Sequence, residues 1–133
     1  MLRIVLAALV LVTTACNLQS GVPTPYPTPD IPRIEFQVPA NNDSFPESSE
    51  IIIILLAQDS GIGIARVELL VDDIPHSEAM PEISGAVPVF TARMNWRAEG
   101  VGYHSLTAIA YRPDGTASDP ETISILVTEW EDA

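Results

Sequence analysis

The chain has 133 residues, which is enough for one domain. Eighteen acidic residues against six basic ones give a formal net charge of −12, and all six basic residues are arginines. So few positive charges argue against binding to nucleic acid or electrostatic docking on anionic lipids. A single cysteine excludes an internal disulfide and cannot supply the ligands of a zinc site.

The first residues of the chain have the layout of a secretory signal peptide. Arg3 makes a short positive start, the run 4–12 is apolar without interruption, and small residues follow. We expect a helical signal peptide over residues 1–15. A permanent transmembrane anchor is the lesser alternative, because the run is far shorter than the roughly 20 residues that span a bilayer.

Thr13-Thr14-Ala15-Cys16 resembles a bacterial lipobox. The resemblance implies that the thiol of Cys16 receives a diacylglyceryl group, that the leader is cut before Cys16, and that acyl chains such as palmitate anchor the protein. Each buried methylene contributes about 0.8 kcal/mol, so two or three chains would make release slow. Thr13 departs from the leucine that the family prefers, and this leaves ordinary secretion with a cut near Ala15 as the alternative.

A proline-rich segment follows the cysteine. Alternate prolines fix φ and favour extended backbone, so we expect a disordered, semi-rigid tether over residues 16–33 with a reach on the order of 50 Å. Its prolines are Pro23, Pro25, Pro27, Pro29 and Pro32. A ligand for a proline-binding module is the alternative interpretation.

From Ile34 onward, short alternating runs are separated by turn residues, a pattern that is typical of an all-β domain. The predicted strands cover 34–38, 51–57, 64–71, 74–79, 87–96, 103–111 and 122–128. About seven strands with turns every 8–12 residues predict an immunoglobulin-like antiparallel β-sandwich over residues 34–129, followed by a tail over 130–133. The second strand is apolar on both faces, as expected for a central strand.

The alternation also predicts which side chains form the core. Trp96 shares a face with Phe90 and Met94, so we expect it to be buried between the sheets. In the sixth strand, the inward residues are predicted to be Leu106, Ala108 and Ala110.

The outward side chains of the same strand suggest a binding face. Aromatic residues and arginine are enriched at interfaces, and neighbouring strands add further members of this kind. The predicted face consists of Tyr103, Ile109, Tyr111, Leu70, Leu126 and Arg66. The alternative is that an outer sheet face simply tolerates such residues, or that the tether or the tail with Trp130 lies across them.

Three stretches resemble the bacterial Ig-like domains of envelope and secreted proteins. They are 55–59 followed by 67–72, Asn95-Trp96 followed by 102–106, and 108–110 followed by Asp114-Gly115. The resemblance implies a binding or spacing module with no shared activity or ligand. The chain departs from it at Arg112, where relatives often place an aspartate that ties the turn, and in lacking the disulfide pair of antibody-type domains.

No motif for catalysis is present, so we expect no catalytic residue, no cofactor and no enzyme. Gly61-Ile62-Gly63 is interpreted as a turn, and His76 and His104, on different strands, as structural residues. Asp59 and Asp114 are expected at one end of the sandwich, where they could hold calcium weakly. We interpret them instead as turn-stabilising acceptors, because no calcium-binding loop is present, and we predict no metal ligand.

These observations predict a non-catalytic, lipid-anchored binding or spacer module. It would lie outside the cytoplasm at the cell surface, in adhesion or as an accessory of an envelope complex. The expected partners are the membrane, through lipid on Cys16, and an unidentified protein or glycan, but no nucleic acid. The alternative is a small-ligand or calcium-dependent carbohydrate-binding module.

Overall fold

The computed structural model describes residue 21, residues 30–83 and residues 85–131. The predicted signal peptide, Cys16 and most of the predicted tether lie outside the described residues. No helix in the described part is long and apolar enough to cross a membrane. The strands are β1 (Arg33–Val38), β2 (Ser44–Pro46), β3 (Glu50–Gln58), β4 (Arg66–Val71), β5 (Ile74–Ala79), β6 (Val89–Arg97), β7 (Gly102–Tyr111) and β8 (Glu121–Thr128).

The described strands form two sheets that face each other. The three-stranded sheet has the order β1-β3-β6, and the five-stranded sheet has the order β2-β8-β7-β4-β5. All neighbouring strands are antiparallel except β2 and β8, which are parallel. The prediction of an all-β, immunoglobulin-like sandwich is confirmed, with β3 at the centre of the smaller sheet.

The core lies between the sheets and is built by period-two alternation. Leu106, Ala108 and Ala110 of β7 are completely buried, so the predicted register of this strand is confirmed. Trp96 at the end of β6 is 9% exposed, and its predicted burial is also confirmed. Among the described residues, every member of the hydrophobic core cluster lies between Ile34 and Val127.

Two strand starts differ from the prediction by more than one residue. The predicted strands 64–71 and 87–96 each begin two residues later, because Ile64 and Val87 pair with each other in a separate bridge. At the other end of the chain, β1 begins at Arg33 and Pro32 is fully buried. The last residues of the predicted tether therefore contact the sandwich.

Strand β2 was not predicted. It is three residues long, contains Pro46, and pairs with β8 through bonds such as Leu126 N–H to the carbonyl of Asp43. Three residues are too few to show an alternation, and proline is normally a sign against a strand. The sequence therefore carried no usable signal for this element.

Two of the turns between strands contain residues with positive φ. The predicted tight turn at Asp72 and Asp73 has positive φ at both residues, 50° and 66°, as a type I′ hairpin turn requires. Gly63 has a φ of 106°, and a Cβ there would lie 2.9 Å from the Cβ of Ala86. A side chain at this position would therefore clash as well as strain the backbone.

The two ends of the sandwich carry different parts of the chain. The tether pole is the end where β1 begins at Arg33, beside Gln58. The distal pole is the opposite end, where β7 begins at Gly102 and β8 ends at Thr128. The described chain therefore enters the sandwich at one pole and leaves it at the other.

Candidate functional site

The six residues of the predicted binding face all lie on the outer face of the five-stranded sheet. Tyr103 is paired with Leu126, and Arg66 is paired with Tyr111. The structure does not bring the six together as one patch, because polar side chains separate them. Across the middle of the face the rows are Ser105 beside Ser124 and Thr107 beside Thr122. Along β7 the two ends of the face are about 27 Å apart.

The group at the tether pole is held by internal contacts. The Arg66 guanidinium lies 3.7 Å from the centre of the Tyr111 ring. The same guanidinium forms ion pairs with Glu78 at 2.8 Å and with Glu68 at 3.5 Å. Arg66 belongs to the predicted binding face, but these contacts already use its positive charge within the domain. Ile109 is paired with Glu68 and is half-buried.

The group at the distal pole is more open. Tyr103 is 72% exposed and lies beside Leu126. An open groove of about 800 Å³ adjoins it and is lined by Leu126, Val101 and Trp130, among others. Tyr103, Val101 and Trp130 are all largely exposed. This end of the sheet therefore presents aromatic and aliphatic surface to solvent.

A buried ion pair at the tether pole was not predicted from the sequence. The Arg112 guanidinium donates to both oxygens of Asp59, from Nε to Oδ2 at 2.7 Å and from Nη2 to Oδ1 at 3.0 Å. The amides of Gly61 and Gly63 also donate to this carboxylate, which confirms that Asp59 stabilises its turn. The hydrogen bonds from Arg112 outweigh burial and lower the pKa of Asp59 to about 2.

Internal contacts occupy Asp59 and Asp114, the two turn aspartates that could have held calcium weakly. Asp59 already neutralises Arg112, and Asp114 accepts a hydrogen bond from the Thr116 amide at 2.9 Å within its own turn. Among the described residues, no three His, Cys, Asp or Glu side chains are grouped so that they could hold a metal ion. Both aspartates therefore act in the described part as turn-stabilising acceptors.

Arg112 also reaches the segment that precedes β1. Its Nη2 lies 3.1 Å from Oδ1 of Asp30. Asp30 belongs to the predicted tether, and its side chain is largely exposed. One arginine thus joins the turn after β3, the turn after β7 and the last residues before β1. This contact holds Asp30 against the sandwich.

At the distal pole, His104 contacts Asp72, Gly100 and Trp96, and we name these four residues the histidine cluster. Nδ1 of His104 lies 2.6 Å from Oδ2 of Asp72, and its Nε2 lies 2.5 Å from the carbonyl oxygen of Gly100. The ring packs against Trp96, with 5.2 Å between ring centroids. Both ring nitrogens face acceptors, and only the imidazolium can donate at both. Burial opposes the charge, but the bonds to Asp72 and Gly100 outweigh it and raise the pKa of His104.

Comparison with known families agrees with this architecture. The sequence model described as "Bacterial Ig domain" matches residues 32–108. The chain belongs to the bacterial Ig domain family. No curated protein matches the chain at a significant level.

This bacterial Ig domain is similar to several solved structures. Fibronectin(III)-like modules of Clostridium thermocellum CbhA share 26% identity and a TM-score of 0.63, covering 74% of this chain and 100% of that one. The CARDB domain of PF1109 from Pyrococcus furiosus shares 10% identity and a TM-score of 0.53, covering 77% and 99%. The SrpA adhesin of Streptococcus sanguinis shares 16% identity and a TM-score of 0.54, covering 77% and 60%. The last two likenesses show the fold alone.

The histidine cluster predicts how the stability of the bacterial Ig domain depends on pH. Because the pKa of His104 is raised on folding, its contribution is complete below the unfolded pKa of about 6.5 and is lost as the pH rises through the folded value. The free-energy difference between wild type and His104→Phe should therefore be larger at about pH 5.5 than at about pH 9 in urea unfolding. Asp72→Asn, which removes the charged acceptor, should weaken this pH dependence. A difference that grows with pH would contradict the assignment.

Proposed function

We propose that the chain is a lipid-anchored, non-catalytic Ig module of the cell surface that acts in adhesion or as an accessory of an envelope complex. Membership of the bacterial Ig family and similarity to fibronectin(III)-like modules support a binding or spacing role, because domains of these kinds are generally non-catalytic. The observation that carries the proposal is the arrangement of the two poles. The chain that follows Cys16 reaches the sandwich at one pole, and the exposed aromatic surface lies at the other.

This arrangement would present the distal pole to the surroundings. The tether would contribute on the order of 50 Å and the ten residues of β7 about 33 Å, so the distal pole could stand on the order of 80 Å from the membrane. Tyr103, Leu126, Val101 and Trp130 lie at that pole. Aromatic side chains contribute large contact areas in interfaces, so a protein or glycan partner would be contacted here first. Arg66, Tyr111 and Ile109 would be secondary contacts nearer the tether. Leu70, which is paired with Thr107 in the middle of the face, would be another.

The groove at the distal pole keeps a second candidate function open, a small-ligand or carbohydrate-binding module. An open groove beside exposed aromatic rings suits stacking against the apolar face of a small ligand or sugar. The calcium-dependent version has less support, since the carboxylate of Asp59 is already bound by Arg112.

The attachment is tested by Cys16→Ser. If the cysteine carries the lipid, the variant should no longer partition into detergent, because acyl burial is lost. It should be released into the medium or remain as uncleaved precursor. Tyr103→Ala is the matched control, since it changes only the distal pole and should stay anchored. Mass spectrometry provides the decisive measurement. A mature N-terminus other than an acylated Cys16 would refute the lipid anchor.

A further inference from the structure

The outer face of the three-stranded sheet carries an aliphatic surface that the proposed function does not use. Strand β3 reads EIIIILLAQ, and apolar runs of this kind are typical of strands that are covered on both faces. Within the described residues only the inner face of β3 is covered, and Ile52 is 45% exposed. The aliphatic face, as we name it, consists of Val38, Ile52, Ile54, Leu56 and Val89.

The same face differs from the rest of the domain in charge. Arg33, Arg93 and Arg97 point outward here beside Glu35 and Glu50, which gives an excess of one positive charge (three minus two) in a chain of net charge −12. None of these three arginines forms an ion pair with another described residue, in contrast to Arg66 and Arg112. The local charge of this face is therefore small and opposite in sign to the net charge of the chain, so it opposes the approach of a second copy only weakly.

We propose that the aliphatic face packs against the same face of a second copy in a two-fold dimer whose axis runs along β3. Sheets packed face to face keep their strands within about 30° of each other, which this axis allows. This axis places Ile54 of one copy near Ile54 of the other, and it lays β1 of one copy over β6 of the other. The inference goes beyond the proposed function and does not rest on lipid attachment.

The register predicts a specific ion pair across this interface. Glu35 and Thr91 are both paired with Leu56, so β1 over β6 places Glu35 of one copy above Thr91 of the other. Arg93 is the next outward residue on β6, about 7 Å away, and an arginine side chain can span that distance. The two-fold axis makes two such pairs between Glu35 and Arg93. An axis across the strands that also stacks Ile54 on Ile54 would instead set Arg93 against Arg93, because Ile54 and Arg93 share one row, so the charges favour the axis along β3.

The chosen axis also fits molecules held by one membrane. Rotation about the strand direction keeps both tether poles at the same end of the dimer. A three-stranded sheet about 30 Å long and 14 Å wide offers roughly 400–500 Å² per copy, which is below the size of a stable interface. The dimer is therefore weak and reversible in solution, and confinement of the copies to one surface would favour it.

The test uses the purified sandwich beginning at Asp30, which contains the whole hydrophobic core cluster that the structure describes. Sedimentation velocity from about 10 µM to about 1 mM should show reversible dimerisation. Arg93→Glu and Glu35→Arg should each weaken the dimer about tenfold or more, because each sets like charges together twice. The double variant Arg93→Glu/Glu35→Arg should restore it, since the pairs are re-formed with reversed polarity. Circular dichroism would verify that each exposed substitution leaves the fold intact.

Tyr103→Ala, on the other sheet, is the matched control and should dimerise like wild type. The proposal is overturned if the sandwich stays monomeric over the whole range, if the single charge reversals have no effect, or if Tyr103→Ala alone dissociates the dimer. Failure of Cys16→Ser to alter membrane attachment would refute the lipid anchor and leave this dimer unaffected.

Discussion

Trp96→Ala should unfold the domain or leave it barely stable at room temperature. Truncating a buried tryptophan typically costs about 3–5 kcal/mol, and the whole free energy of unfolding of a domain is about 5–15 kcal/mol. Trp96 lies opposite Ile51 at the distal end of the core, and its ring supports His104. Its removal would open a cavity and loosen the histidine cluster together.

Thermal unfolding followed by circular dichroism measures this effect. Tyr103→Ala is the matched aromatic control and should change the free energy of unfolding by no more than about 0.5 kcal/mol, because the side chain is largely exposed. In a Trp130→Phe background, the fluorescence of Trp96 should be that of a buried indole. An unchanged melting temperature for Trp96→Ala, or a water-exposed emission, would show that the tryptophan is not part of the core.

Asp59→Ala should be the most damaging change at the tether pole. Removing one partner of a buried ion pair typically costs about 3–5 kcal/mol, because the other charge remains buried without compensation. Arg112 would keep only the exposed Asp30, and the amides of Gly61 and Gly63 would lose their acceptor. Replacing both charges, as in Asp59→Leu with Arg112→Met, should cost less than Asp59→Ala alone.

The matched control is Asp114→Ala, which removes an exposed acceptor from the neighbouring turn and should have only a small effect. The pH dependence gives a second measurement. The folded pKa of Asp59, about 2, lies below the usual value of 3.8, so its contribution is present above about pH 4 and is lost as the pH falls towards 2. In urea unfolding, the free energy of unfolding of Asp59→Ala should therefore lack the contribution that wild type loses over this acidic range. A stability equal to wild type at neutral pH would contradict the role assigned to the pair.

The strands could be predicted from local pattern because each carries its own evidence. The alternation of Leu106, Ala108 and Ala110 fixed both the strand and its facing direction, since a slip of one residue would have exposed all three. Asp72-Asp73 indicated its turn because two consecutive residues there accept positive φ. The short strand β2 lacked such evidence, because its pairing partner β8 lies about eighty residues further along the chain.

The sites were harder to predict because they depend on pairs that are distant in sequence. Arg112 was noticed only as a departure from related domains, and its partner Asp59 lies 53 residues earlier. The residues of the candidate binding face do lie on the predicted outer side of their sheet, but alternation within one strand cannot show that rows of serine and threonine divide them. The acceptors of His104 come from two separate turns, and no spacing in the sequence relates them.

The parallel pairing of β2 with β8 has a mechanical consequence. Both strands run from the tether pole towards the distal pole, and their contacts include Asn42 N–H to the Ser124 carbonyl and Glu47 N–H to the Thr128 carbonyl. A force that pulls the two ends of the sandwich apart acts along these strands. It pulls β2 towards the tether pole and β8 towards the distal pole. The hydrogen bonds between them are then loaded in shear and must break together, whereas peeling would break them one after another. Under tension between an anchored base and a bound partner, β2 would therefore act as a latch that resists extension.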